Sequence, residues 1–83
     1  MEIRTDAFAE KLAEEVRVEM ARKRHSAREL SDVIGVAEHT AGRRLNGQTP
    51  FNAIEMARIA KWLGTSVAEL TARAEQRSPG AAA

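Results

Sequence analysis

The sequence predicts an all-α domain, and three features of the chain support this prediction. Apolar residues recur at intervals of three and four along most of the 83 residues, whereas no segment alternates apolar and polar residues as a strand does. Alanine, the strongest helix former, is abundant. Three segments carry a capping box, in which a polar residue is followed three positions later by glutamate. A chain of this length builds one domain with a single modest core.

The first helix is predicted from about Thr5 or Asp6 to about Arg24. Its apolar residues form one stripe on a helix of 3.6 residues per turn, because they lie four positions apart. Charged residues occupy most of the other positions. We interpret the stripe as the side that faces the core, and it consists of Phe8, Leu12, Val16 and Met20.

A second helix is predicted to begin at the capping box SARE, residues 26–29. The Ser26 oxygen accepts from a backbone amide of the first turn, and Glu29 reaches back to the Ser26 amide. Gly35 ends this helix, since glycine adopts the positive φ of a sharp turn without steric cost. A third helix follows over about 37–45. The buried face of the second helix is expected to consist of Leu30, Val33 and Ile34.

The fourth helix is predicted to begin at the capping box formed by Asn52 and Glu55 and to end at Gly64. It follows a turn, NGQTP at 46–50, in which the Asn-Gly pair breaks the third helix and the proline imposes an extended entry. Its apolar positions are Ile54, Ala57, Ile59, Ala60, Trp62 and Leu63.

The fifth helix is predicted to begin at the capping box SVAE, residues 66–69, and to be short, with at most Val67 and Leu70 available for burial. The tail SPGAAA has nothing to bury, so we expect residues 78–83 to be disordered. The sequence therefore predicts one domain over residues 1–77.

The composition excludes several classes of protein. Cysteine is absent and histidine occurs twice, with no carboxylates clustered at ligand spacing, so we expect no disulfide, metal or other cofactor. The first residues lack the layout of a secretory signal, and no apolar run approaches the roughly 20 residues that span a bilayer, which predicts a cytoplasmic protein. Ser31, Asp32 and the histidines form no recognisable nucleophile and base, so we expect neither enzyme activity nor a small-molecule ligand.

Charge is distributed unevenly, although the net charge is only +1. Residues 1–20 carry six acidic and three basic residues, whereas residues 21–48 carry three acidic and six basic ones. A basic centre beside an acidic arm is suited to binding phosphate on one face. A solvated helix surface gives the same pattern, so charge alone does not decide between the two interpretations.

Residues 26–47, SARELSDVIGVAEHTAGRRLNG, resemble the helix-turn-helix of the phage repressor and Cro family. The resemblance continues through residues 49–70, which are similar to that family's fourth and fifth helices. It implies a compact, lambda-repressor-like five-helix bundle whose recognition helix, about 37–45, reads DNA. The matching features of the motif are the polar cap, Leu30, the Gly35-Val36 turn, Thr40, Arg43 and the closing Leu45-Asn46-Gly47.

Two positions depart from the family pattern. The position after the cap of the second helix, often a glutamine that touches phosphate, is Ala27, so that contact is either lost or made by Arg28. Arg44 stands near the end of the recognition helix where an apolar residue is usual, and Leu45 follows it. We expect Leu45 to turn into the core and Arg44 to be free to meet a phosphate oxygen.

The major groove admits one α-helix, and the exposed side of that helix near its N-terminus reaches the base edges. Successive offsets place Glu38, His39, Gly42 and Arg43 on that side, and we call these four residues the reading face. Arg43 can donate twice to guanine O6 and N7, and Glu38 can accept from a cytosine amino group or instead pair with a neighbouring arginine. His39 can donate or accept. Gly42 either permits a close approach to DNA or is simply tolerated.

The resemblance also implies phosphate contacts, which position the protein without reading the sequence. Backbone amides around Gln48, Thr49 and Phe51 are the expected clamps, together with the side chain of Asn46 or Gln48. The predicted phosphate-contacting residues are Arg28, Thr40, Arg44, Asn46, Gln48 and Thr49.

Together these features predict a DNA-binding transcriptional regulator, a phage-type repressor of the Cro-like or immunity kind. It would bind a roughly palindromic operator in double-stranded DNA as a homodimer. An antitoxin that regulates its own operon uses the same machinery, and a protein-binding adaptor that reuses the fold is the alternative. A dimer would use the fifth helix, Trp62 or the first helix, and Trp62 is otherwise a core residue.

Overall fold

The computed structural model describes residues 6–77, which form five helices and no strand. The prediction of an all-α fold with five helices is confirmed. The predicted tail, residues 78–83, lies outside the described residues, as do residues 1–5. The helices are α1 (Asp6–Lys23), α2 (Ala27–Ile34), α3 (Glu38–Leu45), α4 (Ala53–Leu63) and α5 (Val67–Arg77).

Side-chain caps begin three of these helices where the sequence predicts them. At α2 the Glu29 amide donates to Ser26 Oγ at 3.2 Å, and the Ser26 amide donates to Glu29 Oε1 at 2.7 Å. The corresponding distances for Asn52 and Glu55 at α4 are 2.8 and 3.0 Å. At α5 the Ser66 hydroxyl accepts from the backbone amide three residues later at 3.0 Å. The boundaries of α2, α4 and α5 therefore follow from local hydrogen bonding.

The helix ends require left-handed backbone at three positions. Gly35 ends α2 with φ 73° and Gly64 ends α4 with φ 74°, as the sequence predicts. At the end of α1, Arg24 adopts φ 59°, a conformation that is costly for a residue with a Cβ. The following amide, that of His25, donates to the Met20 carbonyl at 2.9 Å, which satisfies an end carbonyl of α1.

The core receives side chains from all five helices, and α1 packs against α3, α4 and α5. Helix α2 packs against α3 and α4, which places the helix-turn-helix on one side of the bundle. The buried core residues are Leu12, Val16, Met20, Leu30, Ile34, Ala41, Leu45, Met56, Ile59, Ala60, Leu63, Leu70 and Ala74.

Four residues that the sequence places in apolar faces are exposed: Phe8, Ile54, Ala57 and Val67. Phe8 is 38% exposed, Ile54 66% and Val67 37%. These three large side chains lie in the first turns of their helices. The prediction of burial is therefore wrong at these positions, and Val33 and Trp62 are only partly buried.

One core residue of α4, Met56, is not among the predicted apolar positions and is 4% exposed. It forms an i, i+3, i+4, i+7 stripe with the buried residues Ile59, Ala60 and Leu63. That spacing is the signal that predicts a buried helix face, so Met56 could have been identified from the sequence.

Helix α5 is longer than predicted, because it spans eleven residues and buries Ala74 completely. Its last turns are held on α1 by ion pairs. Arg77 Nε lies 2.8 Å from Glu15 Oε1, and Arg73 Nη1 lies 3.0 Å from an oxygen of Glu19, two carboxylates that are almost fully buried. The prediction of a short fifth helix is wrong because polar partners on α1 extend the interface beyond the apolar residues.

The loop between α3 and α4 approaches α1 closely at Gly47. This residue is buried and has φ 79°. A Cβ at Gly47 would lie 2.8 Å from Glu10 Cγ and 3.1 Å from Glu10 Cα, and a backbone atom of a packed helix cannot give way easily. Both the backbone conformation and the space around it therefore require glycine.

We predict that Gly47→Ala lowers the free energy of unfolding by about 1–3 kcal/mol, because it combines a left-handed backbone with a steric clash. The matched control is Gly42→Ala in α3, where nothing lies within 4 Å of an added Cβ. That substitution should raise the stability by about 1 kcal/mol, since alanine is the better helix former. Urea denaturation followed by circular dichroism measures both values, and equal effects of the two substitutions would contradict the packing described for Gly47.

Candidate nucleic-acid interface

Helix α3 is anchored by one side and presents the other to solvent. Ala41 and Leu45 lie four residues apart and are buried, at 0% and 9% exposure. On the reading face Glu38, His39 and Arg43 are exposed, whereas Gly42 is half-buried. The reading face thus lies on two turns of one helix, and its three side chains are all accessible.

The first turn of α3 differs from those of α2, α4 and α5. Ala37 is its N-cap residue, and no side chain within residues 6–77 caps it. The first hydrogen bond of the helix runs from the Ala41 amide to the Ala37 carbonyl at 3.0 Å. The amides of the three residues before Ala41 therefore have no partner within the helix, and they lie at its positive end.

Two arginines, one on α2 and one in the reading face, carry no ion pair in the described part of the chain. Arg28 on α2 and Arg43 on α3 are exposed, and no carboxylate of residues 6–77 lies within 4 Å of either guanidinium. Glu38 pairs with neither of them. In contrast, the two arginines of α5 are engaged by carboxylates of α1. Arg28 and Arg43 therefore remain available to an anionic partner.

The loop after α3 holds the other predicted phosphate contacts. The side chains of Asn46 and Gln48 are exposed, Thr49 is half-buried, and Thr40 of α3 is half-buried too. The Gln48 amide donates to the Arg43 carbonyl at 3.0 Å. The expectation that this amide serves as a phosphate clamp is therefore wrong, because it closes the C-terminal turn of α3 instead.

Arg44 is not free, contrary to the prediction from the sequence. Its Nε lies 2.8 Å from Glu55 Oε1 and its Nη2 lies 3.1 Å from Glu55 Oε2, so the guanidinium binds the carboxylate with two hydrogen bonds. The Arg44 side chain is 17% exposed and that of Glu55 7%. Leu45, in contrast, is in the core as expected. We assign Arg44 to the ion pair that joins the C-terminal end of α3 to the first turn of α4.

A second polar contact, which is not predicted from the sequence, holds the same end of α3. The guanidinium of Arg17 on α1 donates to the carbonyl of Leu45, the last residue of α3. This bond satisfies a carbonyl that the helix itself leaves unpaired and places a positive charge at the negative end of the helix. No local sequence signal reveals it, since 28 positions separate the two residues.

Burial raises the pKa of Glu55, but the hydrogen bonds from Arg44 and from the Asn52 amide, together with the charge of Arg44, outweigh this effect. The net result is a pKa below the usual value of 4.5. The carboxylate is therefore charged at neutral pH, and its ionic form is the one that the fold stabilises.

Residues 6–77 contain no group of three or more histidine, cysteine, aspartate or glutamate side chains that could hold a metal ion. None of the helices over the same residues is both long enough and apolar enough to cross a membrane. Trp62 stacks on the imidazole of His25, with ring centroids 4.1 Å apart, and packs against the core. This contact supports the interpretation of Trp62 as part of the core.

A family model described as the BetR domain matches residues 4–83. The chain belongs to the BetR-domain family. No curated protein matches it. Membership of the phage repressor and Cro family, which the helix-turn-helix resembles, stays a prediction.

Two solved structures of another protein share the fold of this BetR-domain chain. Both are crystal structures of the clp gene regulator ClgR from Corynebacterium glutamicum, and each is 24% identical to this chain. One has a TM-score of 0.78 and aligns over 84% of this chain and 74% of its own. The other has a TM-score of 0.77, with coverages of 86% and 92%.

We predict that Glu55→Gln lowers the free energy of unfolding at about pH 7 by about 1–3 kcal/mol, because Arg44 loses a charged partner in a buried position. The folded-state pKa of Glu55 is depressed, so its contribution is present above the usual value of 4.5 and is lost as the pH falls through the folded-state pKa. The stability curves of the original chain and the variant should converge in acid.

Urea denaturation at several pH values measures this effect. Glu75→Gln on α5, which removes an exposed carboxylate, is the control and should leave the stability at neutral pH nearly unchanged. A constant difference between the original chain and Glu55→Gln from neutral pH down to pH values well below 4.5 would show that the ionised form of Glu55 is not stabilised by the fold.

Proposed function

We propose that this protein is a sequence-specific DNA-binding transcriptional regulator in which α3 enters the major groove. The observation that carries the proposal is the exposed reading face of α3, because neither Arg43 in this face nor Arg28 on α2 has a carboxylate partner in the described residues. The fold shared with ClgR, which is described as a gene regulator, supports it. A protein-binding adaptor would not need arginines that the fold leaves unpaired.

Each residue of the reading face has a role in this proposal. Arg43 donates two hydrogen bonds to guanine O6 and N7, and Glu38 accepts from a cytosine amino group. His39 donates to or accepts from a base edge. Gly42 allows the helix to approach the bases closely, since the space beside its Cα is open in the free protein.

A second group of side chains fixes the protein on the sugar–phosphate backbone. These residues lie on α2, on α3 and in the loop after α3, and in this proposal they meet the strands that border the groove. Hydroxyl, amide and guanidinium groups all donate to phosphate oxygens. The proposed phosphate contacts are Arg28, Thr40, Asn46, Gln48 and Thr49.

We further propose that the protein is a repressor of the phage type and that it binds a roughly palindromic operator as a homodimer. Half-sites about one helical turn apart would place two copies of α3 in successive major grooves on one side of the DNA. Occupancy of such a site excludes polymerase from an overlapping promoter.

The first experiment is a selection of bound duplexes from a randomised library with the full chain, followed by anisotropy titration of the enriched duplex. Binding should weaken steeply with salt, because each neutralised phosphate releases counterions. Arg43→Ala should relax the preference at one base pair and cost about 1–3 kcal/mol of binding free energy. Arg28→Ala should weaken all duplexes alike and reduce the salt slope by about one.

Lys61→Ala is the control for these variants, since Lys61 is an exposed cation on α4 outside the proposed contacts. It should change neither the affinity nor the base preference. The proposal is wrong if the selection enriches no duplex over the starting library. The reading face is misplaced if Arg43→Ala alters neither quantity.

Dimerisation is tested by light scattering on the enriched duplex. A palindromic duplex with two half-sites should bind two copies of the chain, and a duplex with one half-site should bind one, because each copy of α3 occupies one major-groove segment. The same measurement without DNA gives the state of the free protein. One copy bound per palindromic duplex at saturation would contradict the homodimer.

A further inference from the structure

The C-terminal end of α3 is joined to α4 through a single carboxylate. Glu55 accepts two hydrogen bonds from Arg44, at 2.8 and 3.1 Å, and a third from the Asn52 amide at 3.0 Å. Asn52 in turn accepts from the Glu55 amide at 2.8 Å. We call these three residues the α3–α4 joint.

The hydrogen bonds of the joint fix the relative orientation of the Arg44 and Glu55 side chains. A guanidinium that binds both oxygens of a carboxylate is held in its plane as well as at its distance. The Arg44 and Glu55 side chains are 17% and 7% exposed, so water does not compete effectively for these bonds. The capping box also restrains the Glu55 side chain, because the same carboxylate accepts from the Asn52 amide at the start of α4.

The rest of α3 has no polar contact of this kind within the described residues. Its N-terminal turn carries no side-chain cap there, and its buried residues are Ala41 and Leu45. The helix packs against α2 and α1, and apolar burial has no directional preference of its own. The pair of Arg44 and Glu55 adds a directional contact at the C-terminal end of α3, within two turns of every residue of the reading face.

We infer that Arg44 and Glu55 are positioning residues for DNA recognition: they tie the C-terminal end of α3 to the first turn of α4, and thus help to place the reading face, without touching DNA. This inference rests on the proposed function. It replaces the expectation that Arg44 contacts a phosphate, and the two ideas predict opposite results for Glu55. If Arg44 positions α3 through Glu55, removing the charge of Glu55 weakens DNA binding. If Arg44 instead binds phosphate, removing the charge of Glu55 releases Arg44 and also removes a negative charge near the DNA. Binding is then strengthened or unchanged.

The experiment compares Arg44→Met, Glu55→Gln and the double variant with the original chain, and Glu75→Gln serves as the control. Arg44→Met keeps the apolar stem and removes the charge, and Glu55→Gln keeps the volume and the acceptor for Asn52. Anisotropy titrations use the duplex that the original chain selects from a randomised library and a scrambled duplex. They are carried out at a temperature at which circular dichroism shows every variant to be fully folded, so that a loss of stability alone does not change the result.

We expect each single variant to weaken binding to the selected duplex by about tenfold, and the double variant by about the same factor, because the two residues act as one unit. The ratio of affinities for the selected and scrambled duplexes should fall. The slope of the logarithm of affinity against the logarithm of salt concentration should equal that of the original chain, since no phosphate contact is lost.

Three results would overturn the inference. The first is a reduction of the salt slope by about 0.9 in Arg44→Met together with unchanged or tighter binding of Glu55→Gln, which identifies Arg44 as a direct phosphate contact. The second is unchanged binding by all three folded variants, which makes the joint purely structural. The third is that the original chain selects no duplex, which removes the proposed function itself and is distinguishable from the other two because it appears before any variant is tested.

Discussion

The packing of α1 against α3, α4 and α5 is the constraint on which the rest of the structure depends. A domain of this length has one small core, and α1 supplies Leu12, Val16 and Met20 to it. The same helix passes so close to the loop after α3 that only glycine fits at position 47. It also reaches the last carbonyl of α3 through Arg17. Helix α3 is thus placed in part by contacts with α1 that lie far from it in the sequence.

The buried carboxylates determine which arginines remain available to a partner. Glu15 and Glu55 are 3% and 5% exposed, and a carboxylate in such a place must be paired, since an isolated buried charge is very unfavourable. They take Arg77 and Arg44 as partners. Arg28 on α2 and Arg43 of the reading face remain exposed to solvent. A chain with a net charge of only +1 can in this way carry a basic surface, because its acidic residues neutralise bases elsewhere in the fold.

The features that could be predicted from the sequence are those with local causes. The helix starts at Ser26 and Asn52 depend on residues three positions apart, and the ends at Gly35 and Gly64 depend on one residue each. The length of α5 and the partner of Arg44 could not be predicted, because both depend on ion pairs between distant segments. A guanidinium on a helix surface has the same sequence pattern whether it meets water, phosphate or a buried carboxylate. The exposure of the reading face followed from helical periodicity, which is again local.

Because α3 is short, a directional contact at its C-terminal end affects the position of its N-terminus. The eight residues of α3 extend over about 12 Å, so a rotation of about 10° at the α3–α4 joint moves its N-terminus by about 2 Å. Hydrogen bonds to base edges tolerate displacements of only about 0.5 Å. The packing of α3 against α2 and α1 places the helix as a whole. The bidentate pair at the far end of α3 adds a constraint on both a distance and a plane. Beyond its effect on stability, such an ion pair can contribute to the recognition that we propose for α3.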